Sequence, residues 1–343
     1  MTSEATPQLS AAQQRRWDEL LAVLVDAVGP GPRAVVVDGG GHSAWFADRL
    51  GAALHGAGRD CARLTDAAPH HDEDAWYALR GPHTVALADG PRWRAAAPAG
   101  RWDVLIWLRT PGPRAEHPHD AHVVVDLHDP GWPVLRHLDD ALADRERWYL
   151  PETRAFFAVR AATWDTRFGD DAPAYALAVA ELGPAPGSVV ADIGCGSGRA
   201  LPPLRAAVGP DGTVLGLDVT EQMLDAARGL GRAGYAHLLL ADARRLPLRD
   251  GGLDAIFAAG LVNHLPDTRA GLAELARVTR PGGRLALFHP SGRAALAARH
   301  GRALRPDEPL AEGPLRTHLH DGGWTLDAYD DADHRFLALA TRD

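Results

Sequence analysis

The chain contains no lysine. All 36 basic residues are arginine, a bias that a GC-rich genome produces. The absence excludes any chemistry that needs a Schiff-base lysine or a lysine ammonium against nucleotide phosphates. Cysteine is almost as scarce: Cys61 and Cys195 are the only two, which gives no disulfide framework. No apolar run reaches the roughly 18–20 residues of a membrane span. The start, Met1 to Ser10, lacks the basic-then-apolar order of a signal peptide. A cytoplasmic protein without a membrane partner is therefore expected. A net charge of −9 argues against nucleic acid as a partner, because phosphate contacts need basic surface.

What is present is a globular composition, 46% hydrophobic and 24% charged over 343 residues, long enough for two domains. A first helix is expected from Ser10, where Ser10 and Gln13 fit a capping box, with Trp17, Leu20, Leu21, Leu24 and Val25 on one face. Gly29-Pro30-Gly31-Pro32 ends it. Short continuous apolar runs follow at 34–37, 62–64, 84–88, 104–108 and 123–127, the pattern of strands buried on both faces in a parallel sheet. A helix from Asp139 to about Phe157 connects to the second half, and the boundary falls near residue 150, giving domains 1–150 and 151–343. The second half repeats the α/β rhythm with strands at 188–193, 213–217, 237–240, 253–258 and 284–288. It closes on a hairpin pattern, Trp324 to Tyr329 and Arg335 to Arg342.

The chemistry-bearing stretch is Val189-Val190-Ala191-Asp192-Ile193-Gly194-Cys195-Gly196-Ser197-Gly198. An apolar run ends in an acid and opens into alternating glycines, where backbone can turn sharply and approach a ligand. A second acid, Asp218, ends the next apolar run. In doubly wound folds a carboxylate there accepts ribose hydroxyls. The spacing G-x-G-x-G differs from the dinucleotide pattern G-x-G-x-x-G. Asp242 follows the third strand, Gly260-Leu261-Val262-Asn263-His264 the fourth, and Arg280-Pro281-Gly282-Gly283 reads as a turn before the fifth.

Taken in this order, residues from about 155 to 343 resemble a complete class I S-adenosylmethionine-dependent methyltransferase of the small-molecule type. The resemblance implies a seven-stranded Rossmann-like sheet with a final antiparallel hairpin. It implies cofactor contacts at Asp192, Gly194, Cys195, Gly196 and Gly198, with the helix from about Arg199 aiming N–H groups at the methionine part. Asp218 then holds the ribose, Val219 and Met223 lie near the adenine, and Asp242 with Ala243 meets its amino group. Gly260 lies in the loop passing the sulfonium. Trp164, in a segment where relatives carry Tyr-Asp, lies over the cofactor. Each has a plainer reading too: Met223 as core, Asp242 as a helix cap, Trp164 as helix packing.

The implied reaction is in-line methyl transfer to a small-molecule acceptor, in which orientation does most of the work. A base is needed only for an acceptor that loses a proton. His264 and His289 are the candidates, each also readable as an ordinary loop histidine. Asp254, Asn263, His264 and Asp267 are too dispersed to suggest a metal site.

The first half carries Val37-Asp38-Gly39-Gly40-Gly41-His42-Ser43, then Arg59 to Asp66, an acidic loop at Pro69-His70-His71-Asp72, and Trp102 to Leu108. It resembles a P-loop kinase of the uridine kinase type, with the loop shortened and the lysine position empty. The resemblance implies a degenerate, non-catalytic parallel α/β domain for acceptor, carrier or partner contact, or for dimerisation. The histidines at 70, 71, 117, 119, 122 and 128 read as solvated loop residues. Competing readings are a cofactor-binding regulatory protein without transfer activity and a bifunctional nucleotide kinase/methyltransferase.

Overall fold

The structure is a computed structural model in which residues 9–65, 73–95, 102–110, 120–167, 171–299 and 303–343 are described. His70, His71, Asp72, His117 and His119 lie outside them. The chain divides into two compact units, residues 1–155 and 156–343, five residues beyond the expected boundary.

The first unit runs α1 (Ala11–Val28), β1 (Arg33–Asp38), α2 (Ser43–Gly56), β2 (Asp60–Leu64), α3 (Glu73–Ala78), β3 (Thr84–Asp89), α4 (Pro91–Ala95), β4 (Val104–Arg109), β5 (Val123–Asp126), β6 (Val134–Leu138) and α5 (Arg145–Ala158). The capping box at α1 forms as its sequence requires: Ser10 Oγ accepts from Gln13 N–H, and the Gln13 side chain accepts from Ser10 N–H. The six strands are ordered β2-β3-β1-β4-β5-β6. Val35, Val37, Val85, Leu87 and Ile106 bury one sheet face against Trp17, Phe46, Leu50 and Trp148. Val36, Ala86, Ala88 and Leu105 bury the other against Trp76, Trp93 and Trp102.

Two expectations need correction. The sheet is not wholly parallel, because β6 joins β5 antiparallel. Its pattern, two buried residues before Arg136 and His137, is that of a half-solvated edge strand and lacks a continuous apolar run. The connector helix starts at Arg145 rather than Asp139, since the Asp139 carbonyl is taken by the N–H groups of Leu142 and Ala143 in a turn.

The second unit contains α6 (Trp164–Arg167), α7 (Ala172–Leu182), β7 (Val189–Ile193), α8 (Leu201–Val208), β8 (Thr213–Asp218), α9 (Glu221–Gly229), β9 (His237–Leu240), β10 (Leu253–Ala259), α10 (Thr268–Val278), β11 (Thr279–His289), α11 (Arg293–Arg299), α12 (Glu312–Asp321), β12 (Trp324–Ala332) and β13 (Arg335–Arg342). Its seven strands are ordered β12-β13-β11-β10-β7-β8-β9. Strands β7–β11 are parallel, and β13 runs antiparallel to β11 and to β12. The expected turn at Arg280–Gly283 is absorbed into β11 as a bulge: Leu253 pairs with Thr279 and Ala255 with Arg284. Arg280 holds that bulge by donating to Asp254, whose other oxygen accepts from Val189 N–H. The chain leaves β7 toward β8 on one side and returns to β10 on the other, so the strand order reverses at the β7–β10 junction. Open α/β sheets bind ligands outside the carboxyl ends of their strands at such a switch point. Among the described residues no helix is long and apolar enough to cross a membrane.

Among the described residues of the first unit, one ion pair has both side chains buried. Arg16 donates to both oxygens of Glu152 and, through Nε, to Pro133 O at 2.9 Å, while Glu152 also accepts from Leu135 N–H at 2.7 Å. Both side chains are 3% exposed. Removing one partner strands a buried charge, so Glu152→Ala is expected to destabilise the unit by ~3–5 kcal/mol. Replacing both with Arg16→Met and Glu152→Leu should recover most of that. Urea unfolding followed by tryptophan fluorescence measures both, and an unshifted midpoint in Glu152→Ala contradicts the assignment.

Candidate functional site

The turn after β7 is organised by a carboxylate from the next strand. Asp218 accepts from Gly196 N–H at 2.8 Å through one oxygen and from Thr220 N–H at 2.8 Å through the other. Leu217 O takes the N–H groups of Gly194 and Cys195. The loop is thereby stitched to the end of β8 along its length. Gly196 has φ +54, and a Cβ there would meet no atom within 4 Å. The position needs glycine for its backbone, and the space beside it is open. Gly198 has φ +82 and needs glycine for the same backbone reason, and a Cβ there would also come within 2.7 Å of Leu201 Cδ1.

Beneath this turn lies Asp192, 2% exposed, with an Oδ1 that has no hydrogen-bond partner. Burial, and then the nearby Asp218 charge, push its carboxyl up to about 8. Burial also raises Asp218, against the hydrogen bonds it accepts from Thr220, Gly196 and Val219. Cys195 is buried and its thiol is raised by burial and by the same two carboxylates. Its Sγ lies where a Cβ on Gly216 would touch it at 3.3 Å, so it packs as a core side chain and is no nucleophile.

The remaining expected cofactor residues are distributed unevenly. Val219 is half-buried at the end of β8, whereas Met223 is 1% exposed inside α9 and belongs to the core. Asp242 and Ala243 follow β9, but the Asp242 carboxylate is gripped by the Arg244 guanidinium at 2.8–3.2 Å and also accepts Arg244 N–H at 2.9 Å. Gly260 lies at the end of β10, its N–H on Phe288 O at 2.9 Å. The helix expected from about Arg199 begins at Leu201. Pro202 and Pro203 in its first turn have no N–H, which leaves that helix end few donors for a ligand.

A charged network unseen in the sequence fixes α6 to the glycine turn. Asp165 accepts from Ser197 Oγ, from Arg199 Nε at 3.2 Å and from Arg232 at 2.6 Å. Arg199 also reaches Asp171, and Arg232 reaches Ser197 O at 2.8 Å. Burial pushes Asp165 up, but the hydrogen bonds from Arg232 and Ser197 and the charges of Arg199 and Arg232 hold it below the usual carboxylate range. Trp164, next to it, packs edge-on against Phe157 at 5.4 Å, and Phe157 packs edge-on against His264 at 4.9 Å. His264 therefore sits in an aromatic row with Trp164.

A small cleft of about 30 Å³ opens at the carboxyl ends of β10 and β11, with Gly260, Leu261, Asn263, His289, Arg293 and Glu308 among its walls. Leu261 belongs to both regions, since its Cδ1 is 3.2 Å from where a Gly194 Cβ would stand. The structure brings His289 into the cleft lining, whereas His264 is not among its lining residues. Nδ1 of His289 faces Ser291 O at 2.9 Å and Ser291 N–H at 3.1 Å, and it can serve only one of them. With the proton on Nδ1, the Nε2 lone pair is the basic one. Burial lowers the imidazole below its ordinary 6.5, which keeps it neutral near pH 7. Sequence reasoning had no signal for Arg293 and Glu308, which are brought together from opposite ends of a segment without a motif. Among the described residues no cluster of three or more His, Cys, Asp or Glu could hold a metal ion.

The methyltransferase domain family matches residues 191–287. O-methyltransferase cnsE of Penicillium expansum is 34% identical over 154 residues, 42% of this chain and 55% of that protein. Nocamycin O-methyltransferase of Saccharothrix syringae is 37% identical over 113 residues, 31% of this chain and 39% of that protein. O-methyltransferase rstn1 of Aspergillus nomiae is 30% identical over 155 residues, 42% of this chain and 68% of that protein. The chain spans from about a third to just over half the length of the first curated relatives it matches. Among solved structures, a SAM-dependent methyltransferase from Aquifex aeolicus is 26% identical, with a TM-score of 0.42 over 49% of this chain and 89% of that one.

The Asp192 placement has a stability signature. In the unfolded chain an aspartate ionises near its ordinary 3.8, whereas in the folded protein Asp192 keeps its proton up to about 8. Over that window the folded state binds more protons, so this residue lowers stability as pH rises. Asp192→Asn removes the effect. The variant-minus-wild-type stability should therefore grow by ~3–4 kcal/mol between pH 5 and pH 8, measured by urea midpoints, and a constant difference contradicts the placement.

Proposed function

Because the chain belongs to the methyltransferase domain family through its second unit, we propose that it transfers a methyl group from S-adenosylmethionine to an oxygen of a small, mostly apolar acceptor in specialised metabolism. The observation that carries this reading is the continuity of two features on one sheet edge. A glycine turn with a buried unpartnered carboxylate lies at β7 and β8, and an apolar-walled cleft at β10 and β11 shares Leu261 with it. Oxygen as the acceptor atom rests on relatives whose names specify O-methyl transfer.

The residues fit the donor. Asp192 offers a buried acceptor that nothing in the protein satisfies, and the space beside Gly196 is open. When bound, the donor supplies an electrophilic methyl on a sulfonium that leaves as a neutral thioether, so no acid is required. Asp218, at the end of β8, is the carboxylate that meets the ribose hydroxyls. Gly194, Gly196 and Gly198 shape the backbone against the methionine part, and Val219 borders the adenine. Asp242, whose oxygens are taken by Arg244, carries less of the adenine contact than its position suggests. Trp164 and His264 edge the site through Phe157. His289, neutral and in the cleft wall, accepts the proton that a hydroxyl acceptor loses. The cleft also disfavours the reading as a regulatory protein without transfer activity, since such a protein needs no pocket beside the sulfonium.

The first unit is read as a degenerate P-loop-like domain that contacts acceptor or partner. Ser43 Oγ donates to Gly40 O at 2.8 Å and is not held free for a metal-bound phosphate. The turn is pressed onto β4 so closely that a Cβ on Gly39 would fall 2.2 Å from Leu108 O. A cytoplasmic setting belongs to the same proposal.

Calorimetry should register S-adenosylmethionine and no ATP–magnesium; the reverse result sinks the proposal. Asp218→Ala is expected to weaken donor binding at least ~10-fold, the scale of one charged hydrogen bond. His289→Gln should lower kcat by ~10²-fold with donor affinity intact. Because burial lowers His289 below 6.5, kcat should keep more than half of its plateau down to pH 6.5. A profile already falling at pH 7.5 argues for a different base.

A further inference from the structure

We infer that the hydroxyl of Tyr175 holds the carboxylate of the methionine part of S-adenosylmethionine. The inference rests on the methyl-transfer reading above. Tyr175 reaches from α7 onto the sheet at the carboxyl ends of β10 and β11. Its ring packs edge-on against Phe288 at 4.9 Å and tilted against Phe257 at 6.0 Å. Phe257 pairs in register with Asp192 on β7, and Phe288 immediately precedes His289. The two rings beneath Tyr175 therefore join the strand of the glycine turn to the strand of the base. The phenol stands in the field of Asp171, Arg199, Asp192 and Asp165, the same groups that gather around the turn. Asp171 acts on His289 as well.

The Tyr175 hydroxyl has no hydrogen-bond partner among the described residues, and unlike Asp192 Oδ1 it is not sealed from solvent. Burial, and then the charge of Asp171, push the phenol above its ordinary 10. It therefore stays an O–H that can donate. The turn offers a carboxylate little else. The N–H groups of Gly194 and Cys195 go to Leu217 O, that of Gly196 to Asp218 and that of Gly198 to Cys195 O. The two prolines in the first turn of α8 have no N–H. Arg199 is paired with Asp165 and Asp171, and Arg232 with Asp165. Acids thus outnumber arginines here, which suits the sulfonium and the ammonium and leaves the carboxylate unmatched. A neutral O–H meets it without needing a free cation, and a hydrogen bond to an ionised acceptor is about twice as strong as a neutral one.

The test measures binding to the full-length protein by calorimetry, with S-adenosylhomocysteine and with its decarboxylated analogue, which keeps the adenosine, the thioether and the ammonium. The wild type should prefer S-adenosylhomocysteine at least ~10-fold, the scale of a hydrogen bond to a charged group. Tyr175→Phe keeps the ring on Phe257 and Phe288 and loses only the hydroxyl. It should bring the ratio to within about threefold, with affinity for the decarboxylated analogue unchanged. Equal affinities in the wild type, a preference that survives Tyr175→Phe, or an equal loss for both ligands overturns the inference, the last because it marks a structural role for the ring. Failure of the wild type to bind either ligand overturns instead the methyl-transfer reading on which it rests.

Discussion

Asp218 is the joint on which the donor side of the second unit depends. Its two oxygens tie the N–H of Gly196, from the turn after β7, to the N–H of Thr220, which starts the path into α9. Without that carboxylate the glycine turn would be held to β8 only where Leu217 O takes the N–H groups of Gly194 and Cys195. With it, three consecutive features of the site are one rigid piece. The arrangement has an electrostatic cost, because a second carboxylate, Asp192, is pushed up to about 8 by its burial and then by the charge of Asp218. Two acids in one dry region are tolerated where a cationic ligand completes them, and a sulfonium donor with an ammonium group has that charge.

The acceptor side follows from the same sheet. Strand β10 lies between β7 and β11, so the end of β7 and the cleft at β10 and β11 are one strand apart, and Leu261 forms a wall common to both. Methyl transfer asks mainly for alignment, and alignment comes from walls that do not move independently. In the proposed reaction His289 is the neutral base and needs no acid partner, which matches a leaving group that is already neutral.

Much of this was legible in the chain. The alternating glycines after Asp192, the spacing to Asp218, the parallel strands and the terminal hairpin all announce themselves, because each is a local pattern of residue type and period. What was not legible is long-range pairing. Nothing in the sequence says that Asp165 meets Arg232, or that Arg293 meets Glu308, because those contacts depend on how α6 and the segment before α12 lie on the sheet. The strand β6 was missed since Arg136 and His137 interrupt its apolar character. The bulge in β11 was read as a turn because Pro281-Gly282-Gly283 has turn composition, although the strand continues through it. Asp242 was legible in its place after β9 but not in its surroundings, since two residues on Arg244 takes its oxygens.

The missing lysines give these hidden contacts a common form. A lysine ammonium is a single strongly hydrated point that holds one partner loosely, whereas a guanidinium is a rigid fork that serves several at set angles. Arg16 spans Glu152 and Pro133, Arg199 spans Asp165 and Asp171, Arg232 spans Asp165 and Ser197, and Arg293 spans Glu308, Asp331 and Tyr329. Each lies at a place where segments distant in sequence must be held in register. A chain with only arginine thus loses lysine-based catalysis and gains fixed junctions, and a methyltransferase, which needs position more than proton chemistry, is served by that exchange.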